Sequence, residues 1–186
     1  KMDGNGRALL LAEEILDGDP ALIMFGDDIV MNKKSCSKQL MDVYEKYKSP
    51  AIALLKVPEE KIPLYGIVGG INVDKNDKRL FKINKIVEKP DIKDAPSNLI
   101  IVGRYILTHE SFQAIKKTKP NKNGEVGLTE TLQWFLENKP VYGYEFKGDR
   151  YDCGSKFDFL RAGIALGLEH PETREELKNF LSNLDK

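Results

Sequence analysis

Glu88-Lys89-Pro90 closes the run Phe81 to Val87 and sets a carboxylate beside an ammonium at the point where a strand must end. The carboxylate can accept hydrogen bonds from sugar hydroxyls while the lysine neutralises a phosphate. Pro90, having no N–H, stops the ladder and leaves both heads near a sheet edge. Taken alone the pair fits a solvated strand equally well. Asp27 and Asp28 follow the apolar run Ala21-Leu22-Ile23-Met24-Phe25 and Gly26. Neighbouring carboxylates repel unless they are exposed, hydrogen-bonded or bound to a hard cation such as magnesium, whose octahedron is completed by waters and phosphates. A turn or helix-cap pair is the alternative. Asp152 sits in the turn bounded by Gly148 and Gly154, between a strand and a helix. Two carboxylates distant in sequence, Asp27 and Asp152, could therefore converge on one metal.

Glycines mark two further places. Gly4 and Gly6, in Gly4-Asn5-Gly6-Arg7, precede a helix and would let backbone approach a base or phosphate, or else serve as turn residues near a chain terminus. Gly66 opens a strand and would admit a sugar closely, although Gly69-Gly70 nearby indicates that glycine here can also serve a bulge. Lys116, Lys117, Lys119 and Lys122 read as a solvated loop.

The elements that must position these residues follow from hydrophobic period and punctuation. Arg7 to Leu16 reads as a helix stopped by Asp17-Gly18-Asp19-Pro20, and Ala21 to Phe25 as a buried strand. A helix from Ser35 to Lys48 and a strand from Ala51 to Val57 complete a β-α-β unit with expected parallel pairing. Tyr65 to Val73 and Leu80 to Val87 flank Asp74-Lys75-Asn76-Asp77 as a hairpin. Leu99 to Leu107 is a strand, and Thr108 caps a short helix with Ser111 as half a capping box. Leu128 to Asn138 reads as an amphipathic helix and Val141 to Phe146 as a half-buried strand. Ser155 begins a helix to Leu168, and Pro171 sits in the first turn of a terminal one. The expected class is α/β, a mixed sheet carrying an antiparallel β insertion.

With 186 residues, 41% of them hydrophobic, the chain supports one sizeable core, so residues 1–186 are expected to form a single domain. Acidic and basic residues balance at 29 each, which leaves no net field toward nucleic acid or an anionic membrane. No apolar run reaches the roughly 20 residues of a membrane span, and Lys1-Met2-Asp3-Gly4 carries no signal-peptide pattern, so a cytoplasmic location is expected. Cys36 and Cys153 lie far apart, which argues for reduced thiols over a zinc knuckle or disulfide framework.

In chain order, Gly26-Asp27-Asp28, Tyr65-Gly66-Ile67-Val68, Val87-Glu88-Lys89-Pro90, Ala95-Pro96-Ser97-Asn98-Leu99, Val102-Gly103-Arg104-Tyr105, Gly124-Glu125, Leu128-Thr129 and Tyr151-Asp152-Cys153-Gly154-Ser155-Lys156 resemble the motifs of the bacterial UTP-glucose-1-phosphate uridylyltransferases, or UDP-glucose pyrophosphorylases. The resemblance implies a Rossmann-like nucleotide-diphospho-sugar transferase fold and magnesium. The implied reaction joins UTP and glucose 1-phosphate to give UDP-glucose and pyrophosphate. It assigns the magnesium to Asp27 and Asp152, with Asp28 in support on the nucleotide side. It assigns sugar hydroxyls to Glu88, the sugar phosphate to Lys89, sugar-facing backbone to Gly66, the nucleotide base to Gly4 and the pocket wall to Tyr105 and the backbone near Ile101. It also implies a homodimer or homotetramer for the intact protein.

Members of that family carry a glycine-rich triphosphate loop and roughly a hundred residues ahead of the position of Gly4, and nothing in this sequence corresponds to them. The chain is accordingly expected to lack the first strands of the fold, to expose apolar faces, and to be inactive or weak alone. Arg7 also stands where many relatives have histidine, and Gly127 replaces a polar residue. Other sugar-phosphate nucleotidyl transfer, a metal-dependent glycosyltransferase and a non-catalytic UDP-sugar-binding module are the alternatives.

Overall fold

The computed structural model describes residues 4–184, so Lys1 to Asp3, read above for a leader pattern, lie outside the described residues. The helix expected over Arg7 to Leu16 is two short ones, α1 (Asn5–Leu10) and α2 (Glu13–Leu16), the second ended by Asp17 in the left-handed region at φ 44°. Strand β1 (Ala21–Met24) leads through a turn into β2 (Asp28–Met31). Ser35 caps α3 (Cys36–Tyr47) by accepting from the Lys38 amide, and β3 (Ala51–Lys56) follows. The expected hairpin is present as β4 (Gly66–Asn72) and β5 (Leu80–Glu88), with a register shift between Gly69 and Gly70. After these come β6 (Leu99–Leu107), α4 (His109–Lys117), α5 (Leu128–Leu136), β7 (Tyr142–Glu145), β8 (Asp149–Asp152), α6 (Lys156–Glu169) and α7 (Arg174–Ser182). The terminal helix begins after Pro171, with Thr173 at its N-cap.

Six strands form one mixed sheet in the order β1-β6-β3-β7-β5-β4. The parallel pairing expected between the strands flanking α3 is corrected by this order. β6 inserts between β1 and β3 and runs antiparallel to both, so the two share a direction without sharing a hydrogen bond. The parallel partner of β3 is β7, from a distant part of the sequence. The hairpin joins the sheet at two places: Leu80 to Lys82 of β5 pair with β7, and Ile67 and Val68 of β4 pair with Ile100 and Leu99.

The two central strands show why the sheet carries helices on both faces. Leu99, Ile101, Tyr105 and Leu107 of β6, with Ile52 and Leu54 of β3, share one apolar cluster with Phe112, Leu132 and Phe135 of α4 and α5. Ile100, Val102 and Ile106, with Ala51 and Ala53, share the other with Cys36, Leu40 and Val43 of α3. Alternate side chains of one strand point to opposite faces, so near-continuous apolar runs require two covering layers.

β1 is an edge strand, and its Leu22 and Met24 are exposed, as are Leu11 and Ile15 just before it. On α6, Phe157, Phe159 and Leu160 are exposed as well. The uncovered apolar surface expected from the sequence is therefore present. No helix among the described residues is long and apolar enough to cross a membrane.

Candidate active site

Two strand ends and one short ribbon build the site. Where β1 stops, the Phe25 amide donates to the Gly103 carbonyl (2.8 Å), and the Arg104 guanidinium donates to the carbonyls of Phe25 and Gly103 (2.9 Å each) and of Asp28. This brace holds Gly26-Asp27 as an exposed turn. Asp28 then starts β2, which pairs antiparallel with β8 so that Asp28 faces Asp152. The ribbon was not expected, because Gly148 to Gly154 reads as a turn. It is nevertheless what brings the two acidic stretches together. The Cys153 amide donates to the Asp27 carbonyl at 2.7 Å, fastening the end of β8 to the turn.

The three aspartates have unlike surroundings. Asp28 is buried, and its carboxylate accepts from Arg150 Nε (2.7 Å) and Nη2 (3.1 Å) and from the Gly103 amide (2.8 Å). Burial works against the charge of Arg150, but the hydrogen bonds and field of Asp28 outweigh it and raise the guanidinium above its ordinary value. Asp152 Oδ2 accepts from the Tyr65 hydroxyl (3.0 Å) and from Arg150 Nη2 (3.2 Å). Its Oδ1 accepts from the Gly154 amide at 3.3 Å. A Cβ built on Gly154 would stand 3.2 Å from Asp152 Oδ1 and 3.7 Å from Asp27 Oδ2, so the absent side chain leaves these two carboxylates around one open point.

The described residues contain no group of three or more His, Cys, Asp and Glu side chains placed to hold a metal. Two carboxylates with open room between them nevertheless suit magnesium, which commonly takes one or two carboxylates and fills its octahedron with waters and phosphate oxygens. Structural zinc draws mainly on sulfur and nitrogen ligands, and among the described residues no His or Cys joins these carboxylates in a metal-holding group.

The other half of the site stands on the hairpin. Gly66 opposes Glu88 in the β4–β5 ladder, and a Cβ on Gly66 would meet Glu88 Oε2 at 3.0 Å, Ile101 Cδ1 at 3.4 Å and Thr129 Oγ1 at 3.5 Å. Ile101 thus backs Glu88 from the core, and Thr129 approaches from the first turn of α5. β5 ends at Glu88, and Lys89 turns away at φ 46° with its amide donating to the Tyr65 carbonyl at 3.1 Å. Glu88 and Lys89 are both exposed, with Nζ 4.0 Å from Oε1. An ion pair that long and that open holds neither side chain tightly, so both heads remain available to a ligand. Tyr105 lies behind them in the core at 5% exposure. Burial first, then the charges of Glu88 and Asp28, raise its hydroxyl above the ordinary value.

Glu88 and Lys89 open onto a cleft of about 970 Å³, whose other walls come from Gly4 to Leu11 and from Asn121 to Glu130. Gly4 lines it from a conformation that glycine alone takes easily, φ 95°, with its missing Cβ replaced by the Val126 backbone. The Gly6 amide donates to the Val126 carbonyl and the Leu128 amide to Asn5 Oδ1, both at 2.9 Å, which clasps α1 to the start of α5. The lysine run read as a solvated loop is corrected in part: Lys116 and Lys117 end α4, where Lys116 pairs with Glu13 at 2.8 Å and Lys117 lies over the Trp134 ring, and only Lys119 and Lys122 lie beyond the helix.

The structure therefore joins Asp27 with Asp152 and gathers Glu88, Lys89, Gly66 and Ile101. Gly4 is set across the cleft, and Asp28 and Tyr105 stand behind as buried supports. A profile of the family described as nucleotidyl transferase matches residues 1–167. The chain belongs to the nucleotidyl transferase family. UTP–glucose-1-phosphate uridylyltransferase of Streptococcus pyogenes is 39% identical over 98% of this chain and 61% of its own length. The Streptococcus pneumoniae protein of the same name is 37% identical over 98% and 62%. A solved UDP-glucose pyrophosphorylase complexed with UDP-glucose matches with a TM-score of 0.83 and 35% identity, over 91% of this chain and 64% of that one. A UTP-bound enzyme from Acinetobacter baumannii matches with a TM-score of 0.87 and 30% identity, over 99% and 63%. This nucleotidyl transferase chain spans about three fifths of the length of the curated relatives it matches.

Tyr65, Arg150 and Thr129 hold places in the site that residue-by-residue reading left empty. Tyr65 and Thr129 stand inside motifs quoted from the sequence, but their contacts are made across the fold, and Arg150 acts through a ribbon that no local pattern announces.

Proposed function

We propose that the protein serves uridylyl transfer between UTP and glucose 1-phosphate, giving UDP-glucose and pyrophosphate, with residues 1–186 acting as one unit. The observation that carries this reading is the span of Tyr65, whose carbonyl holds the Lys89 amide and whose hydroxyl holds Asp152. Tyr65 thereby links the strand end that carries Lys89 to the acidic pair, which supports reading the two as one site. The names of the relatives support the substrates.

In this reading Lys89 neutralises the sugar phosphate, Glu88 accepts from sugar hydroxyls, and Gly66 leaves the space in which the ring lies. Asp27 and Asp152 would hold magnesium, which supplies positive charge to the nucleotide phosphates. A sugar-phosphate oxygen forms a bond to the α-phosphorus as the bond to the departing pyrophosphate breaks. Positioning two anions in line is the main task, and Lys89 offsets their repulsion. Gly4 faces the base from the opposite wall, while Asp28 keeps the ribbon that carries Asp152. The unpaired thiols of Cys36 and Cys153 suit a reducing compartment such as the cytoplasm. The exposed apolar residues of α6 offer a face for a homodimer or homotetramer.

A second reading, UDP-sugar binding without turnover, draws on the share of the relatives' length that the chain spans. Two measurements separate them. Calorimetry of this chain with UDP-glucose should register binding that Glu88→Gln and Lys89→Ala each weaken, and no binding at all would overturn both readings. Pyrophosphate release from UTP and glucose 1-phosphate should be slow with this chain and fast with the full-length protein, while binding without release by the full-length protein leaves only the second.

A further inference from the structure

Tyr65 makes contacts that the proposed chemistry does not itself require. Its amide donates to the Ile62 carbonyl at 3.3 Å, which anchors the residue at the end of a short helical turn just before β4. Its ring lies under the Arg150 guanidinium, 5.2 Å from the centroid. The hydroxyl and Arg150 Nη2 both donate to the same oxygen of Asp152, Oδ2, leaving Oδ1 on the side of Gly154 and Asp27. A carboxylate fixed through one oxygen has lost its rotation about χ2 and presents the other in a single direction.

We propose that Tyr65 is a positioning residue: its hydroxyl orients Asp152 toward a divalent cation shared with Asp27, while its carbonyl anchors the backbone of Lys89 beside it. The proposal rests on the metal reading given under Proposed function. Groups that orient a ligand from behind commonly change metal affinity 10- to 100-fold when removed. Arg150 still touches Asp152 when the hydroxyl is gone, so the low end of that range applies here.

Tyr65→Phe removes the hydroxyl and keeps the ring under Arg150. Mn²⁺ alone, titrated into the chain and followed by electron paramagnetic resonance, should bind Tyr65→Phe about tenfold more weakly than the parent at an unchanged thermal midpoint. Asp152→Asn should abolish the binding. Parent-like Mn²⁺ affinity in Tyr65→Phe, alongside loss in Asp152→Asn, overturns the positioning role and leaves the metal reading standing. A weaker affinity that comes with a lowered thermal midpoint marks a merely structural residue and also overturns it. Mn²⁺ binding that is absent in the parent, or unaffected by Asp152→Asn, sinks the metal reading itself.

Discussion

Asp28 and Asp152 stand opposite one another across the β2–β8 ladder, and the one guanidinium of Arg150 donates to both. Like charges directly opposed on a strand pair are destabilising, so the arginine is what allows the ribbon to hold two carboxylates. It divides them unequally. Asp28 has both oxygens taken in the interior, whereas Asp152 gives Oδ2 to Tyr65 and Arg150 and holds Oδ1, met only by the Gly154 amide at 3.3 Å, toward the open point.

Arg150→Leu would leave the Asp28 carboxylate buried without its counter-ion. Breaking one side of a buried pair costs about 3–5 kcal/mol, and the urea midpoint should fall accordingly. Adding Asp28→Asn to that variant should restore part of the loss. A parent-like midpoint in Arg150→Leu would show that the ion pair is not what holds the ribbon.

Gly66→Ala places a methyl 3.0 Å from Glu88 Oε2, the movable end of a side chain, and within ordinary contact of Ile101 and Thr129. The fold should accept it within about 1 kcal/mol. UDP-glucose affinity should fall roughly tenfold, or about 1.4 kcal/mol, because the displaced carboxylate and the methyl occupy the space proposed for the sugar. Calorimetry of the two proteins decides it, and equal affinities would move the sugar away from Gly66.

Lys89→Ala in the full-length protein should lower kcat/KM for uridylyl transfer by about 2–4 kcal/mol in transition-state terms, the range expected when one donor to developing charge is removed. Steady-state kinetics with glucose 1-phosphate as the varied substrate gives the number. A near-parent value would take Lys89 out of the mechanism.

Glu110 is held down to about 2 from an ordinary value near 4.5, first by the Lys139 ammonium at 2.7 Å and then by its own backbone amide at the start of α4. A depressed carboxyl stabilises the fold above its unfolded value and loses that contribution as pH falls through 4.5 toward 2. Lys139→Met should therefore lower stability at pH 6, and the difference from the parent should shrink on acidification. Both side chains are about half exposed, so the effect at pH 6 is only about 0.5 kcal/mol. Denaturant midpoints at pH 6 and pH 3 measure it.

The strands and helices that bury a continuous face were readable from the sequence, and β6 appears over the expected Leu99 to Leu107. What failed was neighbourhood. Ala21 to Phe25 and Ala51 to Val57 carry the apolar runs of central strands, and such runs do not reveal that β6 will lie between them. The β2–β8 ribbon escaped for a related reason: each arm is four residues long and its partner lies more than a hundred positions away. Glu88 and Lys89 were legible in the sequence because they close an apolar run, Asp27 because it follows one, and Asp152 because it sits in a glycine-bounded turn. Tyr65 and Arg150 interrupt nothing. Their significance comes from three-dimensional contacts, the phenol with Asp152 and the guanidinium with two carboxylates at once.

Lys89 occupies the left-handed region at φ 46°, a conformation that costs a side-chain-bearing residue about 1–2 kcal/mol. Glycine would rest there more easily, and Lys89→Gly would leave the cleft without its ammonium. On the role proposed for Lys89, thermostability and turnover pull in opposite directions at this position. A search for sturdier variants that scores only survival on heating would discard the very group proposed to meet the phosphate.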